Sequence, residues 1–367
     1  MGQPLRILIV DDSALMRRVI RAMLEHDPDL TVVGEAADGR EALARVTELR
    51  PNLITLDVRM PVMDGVETTR QIMAYQPTPI LVLTASLSRY DVDITFQMLG
   101  AGALDVMEKP LLSDSAALAR TQIALIRKIK LLARVKVVTH LRGRRKPNVE
   151  LSMLNVALPN KIAAPPHATF NIPPSTFPVV VIGASTGGPR VVQQILTGLP
   201  QSYGAAVIVV QHIAQGFSAG MVEWMSLNSA LPISLAEAGG KLQPGKVLVA
   251  PDRFDLLIDA NGRVKLSAHP LLLQRPAIDI TMQSVADAYG PLATGVLLTG
   301  MGRDGAIGMR SIRRAGGYTI AQDEASCTIF GMPKAAIDLG AAHEVLPPDR
   351  IIEALTARVS VKREHIL

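Results

Sequence analysis

The chain has 367 residues, 48% hydrophobic and 19% charged, which suits two domains with sizeable cores and excludes wholesale disorder. Aromatic residues are only 3%, so the cores are expected to be aliphatic, and base-stacking on nucleic acid is disfavoured. The net charge of +5 permits an acidic partner, and a single cysteine, Cys327, excludes an intramolecular disulfide. Cys327 lies in an apolar run, residues 325–330, and is read as a buried filler. The opening apolar run, residues 7–10, passes straight into Asp11-Asp12 and is too short for a signal peptide. No segment reaches bilayer length, so the expectation is a cytoplasmic protein without membrane insertion.

From the start of the chain, short apolar runs alternate with helical spacing. Strands are predicted at 5–10, 31–34, 53–56, 80–83 and 103–107, and helices at 13–25, 39–49, 65–74, 88–99 and 115–134. Five β-α units predict a doubly wound parallel sheet, whose ligands bind at the carboxyl ends of the strands. Those ends carry Asp11, Asp12, Asp57, Thr84 and Lys109. Converging carboxylates repel unless a cation joins them, and hard oxygen donors suit Mg²⁺. A surface acidic cluster is the bland alternative. It fails because these residues are far apart in sequence yet all fall at strand ends.

The segments Val10-Asp11-Asp12-Ser13, Leu56-Asp57 through Asp64-Gly65, Leu83-Thr84-Ala85 and Glu108-Lys109-Pro110 resemble a response-regulator receiver domain. The resemblance implies a flavodoxin-like fold over residues 1–125 and phosphorylation of Asp57 by a histidine kinase of the CheA type. Asp11, Asp12, Asp57 and the Arg59 backbone carbonyl would hold Mg²⁺, and Thr84 and Lys109 would sense the phosphoryl group. Receivers usually carry an aromatic three residues before the lysine; this chain has Val106.

Residues 126–177 read as the end of the last receiver helix followed by a basic, then Pro-rich linker. Its charges include Arg127, Lys128, Lys130, Arg134, Lys136, Arg142, Arg144, Arg145 and Lys146. With no interleaved aromatics and no recognition fold beside it, a solvated linker is preferred over a nucleic-acid or acidic-lipid patch.

A second α/β pattern occupies residues 178–367. Strands are predicted at 179–182, 206–210, 247–250 and 294–298, and helices at 189–198, 218–230, 278–288 and 304–314. The first strand runs into Gly183-Ala184-Ser185-Thr186-Gly187, a Gly-x-Ser-x-Gly turn that lifts Ser185 out between a strand and a helix N-terminus. By itself the motif is equally a nucleophile turn and a structural or phosphate-cradling one. A serine nucleophile needs a base, and the base an orienting acid. Of seven histidines, only His212 shares the strand-end position, and Asp304 follows a Gly-rich turn after another strand. Asp304 is read as an N-cap, the triad acid, or both.

The order Ser185, His212, Asp304 is not the Ser-Asp-His order of α/β-hydrolases. Gly183 through Pro189, Gln211-His212, Leu298 through Gly305, Ile320 through Asp323 and Gly331-Met332-Pro333 are instead similar to the chemotaxis protein-glutamate methylesterases (CheB). A receiver placed ahead of that domain is the same family's architecture.

The resemblance implies a Rossmann-like catalytic domain with Ser185 as nucleophile, His212 as general base and Asp304 as orienter. Backbone amides at Thr186 and Met301 would be the oxyanion donors. The implied substrate is a glutamate methyl ester on the cytoplasmic helices of a methyl-accepting chemoreceptor, hydrolysed with release of methanol and without a metal, with glutamine deamidation beside it. No nucleic-acid partner is implied. Trp224 stands where the family commonly has an arginine, as in the branch serving non-flagellar receptor pathways. Two rival readings, a catalytically dead docking module and a transcriptional regulator, are disfavoured. The Ser-His-Asp set is intact, and no compact helix-turn-helix segment is present.

Overall fold

The computed structural model describes residues 3–85, 89–110, 115–135, 137, 177–269 and 275–364. Most of the basic and Pro-rich linker, including Lys136, Arg142, Arg144, Arg145 and Lys146, lies outside them.

The first domain alternates β1 (Leu5–Val10), α1 (Ala14–Glu25), β2 (Leu30–Ala36), α2 (Gly39–Leu49), β3 (Leu53–Asp57), α3 (Gly65–Tyr75), β4 (Ile80–Thr84), α4 (Arg89–Ala101), β5 (Asp105–Glu108) and α5 (Ser115–Leu132). The strand order is β2-β1-β3-β4-β5, all parallel. β3 and β4 are buried along their whole length, as expected for strands covered by helices on both faces. Helix starts follow local chemistry. Ser13, Asp38 and Asp64 cap α1, α2 and α3 by accepting amides of the first turn. Leu125, Ile129 and Leu132 of α5 are buried in this domain's core, so the folded unit runs past residue 125 and through Leu132.

The second domain contains β6 (Val179–Ala184), α6 (Gly188–Gly198), β7 (Ala206–Gln211), α7 (Ser218–Ser226), β8 (Ile233–Leu235), β9 (Val247–Val249), β10 (Asp255–Ile258), β11 (Val264–Ser267) and α8 (Ile278–Tyr289). A short 3-10 turn (Gly290–Leu292) leads to β12 (Ala293–Leu297), α9 (Ala306–Arg314), β13 (Tyr318–Gln322), α10 (Met332–Asp338), β14 (Glu344–Leu346) and α11 (Pro348–Glu364). Seven strands form a parallel sheet in the order β14-β13-β12-β6-β7-β9-β8. The α/β class and doubly wound topology therefore hold for both domains. The antiparallel hairpin β10–β11 and the three-residue edge strands β8 and β14 were not among the predicted elements. They are too short to carry a period, and their faces are only half apolar.

The domains meet through aromatic side chains. Phe96 of α4 stacks on Trp224 of α7 with ring centroids 5.4 Å apart, and meets Phe217 edge-on at 6.4 Å. Phe96, Phe217 and Trp224 are all buried. A Cβ on Gly220 would stand 2.1 Å from Val92 Cγ1, so α7 presses closely against α4. In a chain so poor in aromatics, three of them gather at this joint.

Candidate active site

In the first domain the chain leaves β1 in one direction and β3 in the other, which opens a crevice at their carboxyl ends. Ligand oxygens of Asp11, Asp12 and Asp57 lie there within 4.8 Å of one another. Lys109 Nζ stands 2.7 Å from Asp11 Oδ2 and 2.8 Å from Asp57 Oδ2. Thr84 is buried at the end of β4, and its carbonyl accepts the Lys109 amide at 2.8 Å. Burial pushes the Asp57 carboxyl up to about 6, against the opposing pull of Lys109. The all-oxygen donor set fits a hard divalent cation, which would neutralise an incoming phosphoryl group. Arg59 pairs with Asp91 at the base of α4. Val106 is buried and faces the second domain rather than rotating at the surface.

The second crevice lies between β6 and β12, where the chain again turns opposite ways. Ser185 is the first residue past β6. Its amide donates to the Thr299 carbonyl at 3.0 Å, and its carbonyl accepts the Gly188 amide at 2.8 Å. Gly187 has φ 77°, and a Cβ there would stand 2.2 Å from Thr328 Oγ1. Gly183 lies inside β6, where its missing side chain admits Ile278: a Cβ would be 2.4 Å from Ile278 Cγ2.

His212 is the first residue past β7, the strand beside β6. Its Nε2 lies 2.8 Å from Asp304 Oδ2. Burial alone would raise the Asp304 carboxyl, but His212 and the amides of Asp279 and Ile278 outweigh it and hold it below the usual carboxylate range. An ionised carboxylate only accepts, so in the neutral ring Nε2 carries the proton and Nδ1 the lone pair. Nδ1 is buried and has no hydrogen-bond partner among the described residues. Ser185, Thr186, His212 and Met301 line one cavity of about 610 Å³. Its opposite wall is the first domain, with Val106, Glu108, Lys109 and Arg120 among the lining residues. All five residues assigned to this site by sequence, Asp304 included through His212, are thus brought together.

Asp304 caps a helix, though not the one that follows it. Its oxygens accept the Ile278 and Asp279 amides at 2.8 and 2.9 Å, so it caps α8, about 25 residues away in sequence. The α9 N-cap is Gly305, with φ 88°.

Gln211, Thr299 and Gln322 were missed. Gln211 Nε2 donates to the carbonyls of both Ser185 (2.8 Å) and His212 (2.9 Å). Thr299 Oγ1 donates to the Thr186 carbonyl, and Gln322 Oε1 accepts the Thr299 amide. For Gln211 and Gln322, a polar residue ending a strand's buried run was the available signal, since it needs an internal partner. Cys327 is half-buried in a turn near this support rather than packed in the core, and burial pushes its thiol up to about 12.

Residues 180–355 match the CheB methylesterase family and residues 7–120 the response regulator receiver domain family. A protein-glutamate methylesterase/protein-glutamine glutaminase of Symbiobacterium thermophilum is 40% identical over 97% of this chain and 98% of its own. One from Geobacter metallireducens is 41% identical, over 96% of this chain and 98% of its own. The Thermotoga maritima CheB methylesterase catalytic domain has a TM-score of 0.49 and 39% identity, covering 50% of this chain and 100% of that one. Matched along both domains and nearly end to end, the chain belongs to the CheB family of receiver-linked methylesterases.

Proposed function

We propose that the protein hydrolyses glutamate methyl esters on chemoreceptor helices, with Ser185, His212 and Asp304 as its catalytic set. The observation that carries this reading is the state of His212. One ring nitrogen is held by Asp304, and the other is unpartnered in the cavity that Ser185 lines. Ser185 Oγ attacks the ester carbonyl as His212 Nδ1 takes its proton. The tetrahedral oxyanion is met by the amides of Thr186 and Met301, which donate to no described residue. His212 returns the proton to the methoxide, and methanol leaves. Water then attacks the acyl-serine with His212 as base, and a glutamate carboxylate and free Ser185 result. With a glutamine substrate the leaving group is ammonia by the same steps.

Phosphorylation of Asp57 by a histidine kinase controls access. Support for this comes from the cavity, whose second wall is the β5–α5 side of the receiver. Mg²⁺ would be held by Asp11, Asp12, Asp57 and the Arg59 carbonyl. Among the described residues no helix is long and apolar enough to cross a membrane. The test is Ser185→Ala in methanol release from methylated receptor membranes. Turnover is expected to vanish with folding intact, because the turn accepts alanine. Residual release within about tenfold of wild type removes Ser185 as nucleophile.

A further inference from the structure

We infer that Asp279 is a positioning residue for the reaction: it holds the turn that carries Asp304 to His212 by an exchange of caps between two helices. The inference rests on the reading of Asp304 as the orienting acid.

Helix α8 is preceded by Ala277 and α9 by Gly305, and neither side chain can cap the helix it precedes. Each helix takes its cap from the other. Asp304, just ahead of α9, accepts the first amides of α8. Asp279, in the first turn of α8, accepts the Gly308 amide of α9 at 2.7 Å through Oδ1. The two helices are pressed together at this point. A Cβ on Gly308 would stand 2.6 Å from Met282 Cβ and 3.1 Å from Asp279 Cα. The approach of α8 is fixed from the sheet side too, because Ile278 fills the gap left by Gly183 and lies against Gly305.

The geometry assigns the two acids different tasks. Asp304 is bonded to the imidazole, while Asp279 bonds backbone of α9 and makes no hydrogen bond to His212. Without the Asp279 carboxylate, the first turn of α9 loses the side-chain acceptor that α8 offers its amides. The Asp304 turn, which is continuous with α9, is then tied to α8 by one set of bonds instead of two, the amides that Asp304 accepts, and its carboxylate can shift relative to Nε2. A carboxylate displaced by about 1 Å from the base is enough to cost on the order of a hundredfold in turnover. The same exchange keeps two carboxylates side by side. Burial and the Asp304 charge oppose ionisation of Asp279, and the α9 amides favour it.

The test uses the full chain and methanol release. Asp279→Asn keeps an acceptor oxygen in place and is expected within about threefold of wild type, the loss being that of one charge-assisted bond made neutral. Asp279→Ala removes the acceptor, and Asp279→Glu moves it by a methylene. Both are expected to lower kcat about 10- to 100-fold with KM within about twofold. Asp279→Ala placed on Asp304→Asn is expected to cost nothing further, because the first residue acts through the second. Thermal melting sets the folded fraction; if the alanine variant does not fold, the contrast between Asn and Glu decides. Asp279→Ala or Asp279→Glu at wild-type kcat, Asn as slow as Ala, or additive losses in the double variant would overturn the inference. Wild-type turnover in Asp304→Asn alone brings down the orienting-acid reading, and this inference with it. A dead Asp304→Asn beside unaffected Asp279 variants brings down only the inference.

Discussion

Asp57 and Asp304 stand at comparable addresses, each beside the crevice where a parallel sheet changes direction, and both are largely buried. Burial disfavours the charged form of each. For Asp57 that effect prevails: one lysine and one amide face it, a second carboxylate lies close by, and the acid is pushed up to about 6. For Asp304 it is overcome by a histidine and amides from the start of a helix, and the acid is held low. The first carboxylate is left under-compensated, in a position that gains from a divalent cation, and the more so once a phosphoryl group adds its own charge. The second is held toward its ionised form by its donors and can orient a base without a metal. One sheet architecture thus supports a switchable charge and a fixed one, and the difference lies in how many donors the neighbouring loop and helix supply.

Removing each charge without changing its shape separates the two roles. Asp304→Asn is expected to cost about 10⁴ in turnover while leaving receptor binding, because the imidazole loses its orienting anion. Near-normal methanol release in that variant would reduce Asp304 to a helix cap. Asp57→Asn is expected to abolish uptake of label from acetyl phosphate, as is excess chelator with the wild-type chain. Incorporation that persists in either would place the phosphoryl group elsewhere. Esterase activity of Asp57→Asn without donor is expected to equal that of unphosphorylated wild type.

How much of this was legible in sequence follows from where each residue gets its partners. Asp11, Asp57, Thr84 and Ser185 end apolar runs, and Lys109 and His212 follow one polar residue later. A strand's buried run and its first polar residue are adjacent in the chain, so position alone marked them. Asp304 was found the same way, but its capping of α8 was not, because the amides it accepts belong to residues about 25 positions earlier. Gln211 was read as part of a motif, yet its two carbonyl bonds depend on Ser185 and His212 being on neighbouring strands. Trp224 was the residue least well placed by sequence. As a departure from a familiar pattern it pointed to a receptor branch; in space it stacks on Phe96 of the other domain. Contacts between domains leave no periodic trace in either segment.

A moderate effect is expected from removing the receiver. Its β5–α5 side forms the wall opposite Ser185 and His212, so on the proposed function a receptor helix would reach the serine only once the domains part. A fragment beginning at Pro173 is expected to exceed the unphosphorylated whole chain on the order of tenfold, the factor for an open form holding about a tenth of the population. It should no longer respond to phosphodonor. A fragment slower than the unphosphorylated chain would make the receiver an activator or a docking arm.

The smallest effect tests the joint itself. Trp224 and Phe96 are stacked and buried only while the domains are together, so their contact stabilises the covered form and not the open one. An aromatic pair contributes about 0.5–1.5 kcal/mol beyond its area, which corresponds to roughly a two- to tenfold change in the open population. Trp224→Ala is therefore expected to raise methanol release by the unphosphorylated chain about threefold and to shrink the response to phosphodonor by a similar factor. Trp224 also packs within its own domain, where truncation of a large core side chain can cost about 3–5 kcal/mol, so that variant alone confounds loosening with damage. Phe96→Ala removes the same contact, together with that to Phe217, from the receiver side, so any truncation damage falls on the receiver and not on the catalytic domain. Both single variants should shift basal activity in the same direction, and the double variant by less than the product of the two. A fall in basal activity with Phe96→Ala, or an unchanged response to phosphodonor, would show that the α4–α7 joint survives opening and that the domains part about some other contact.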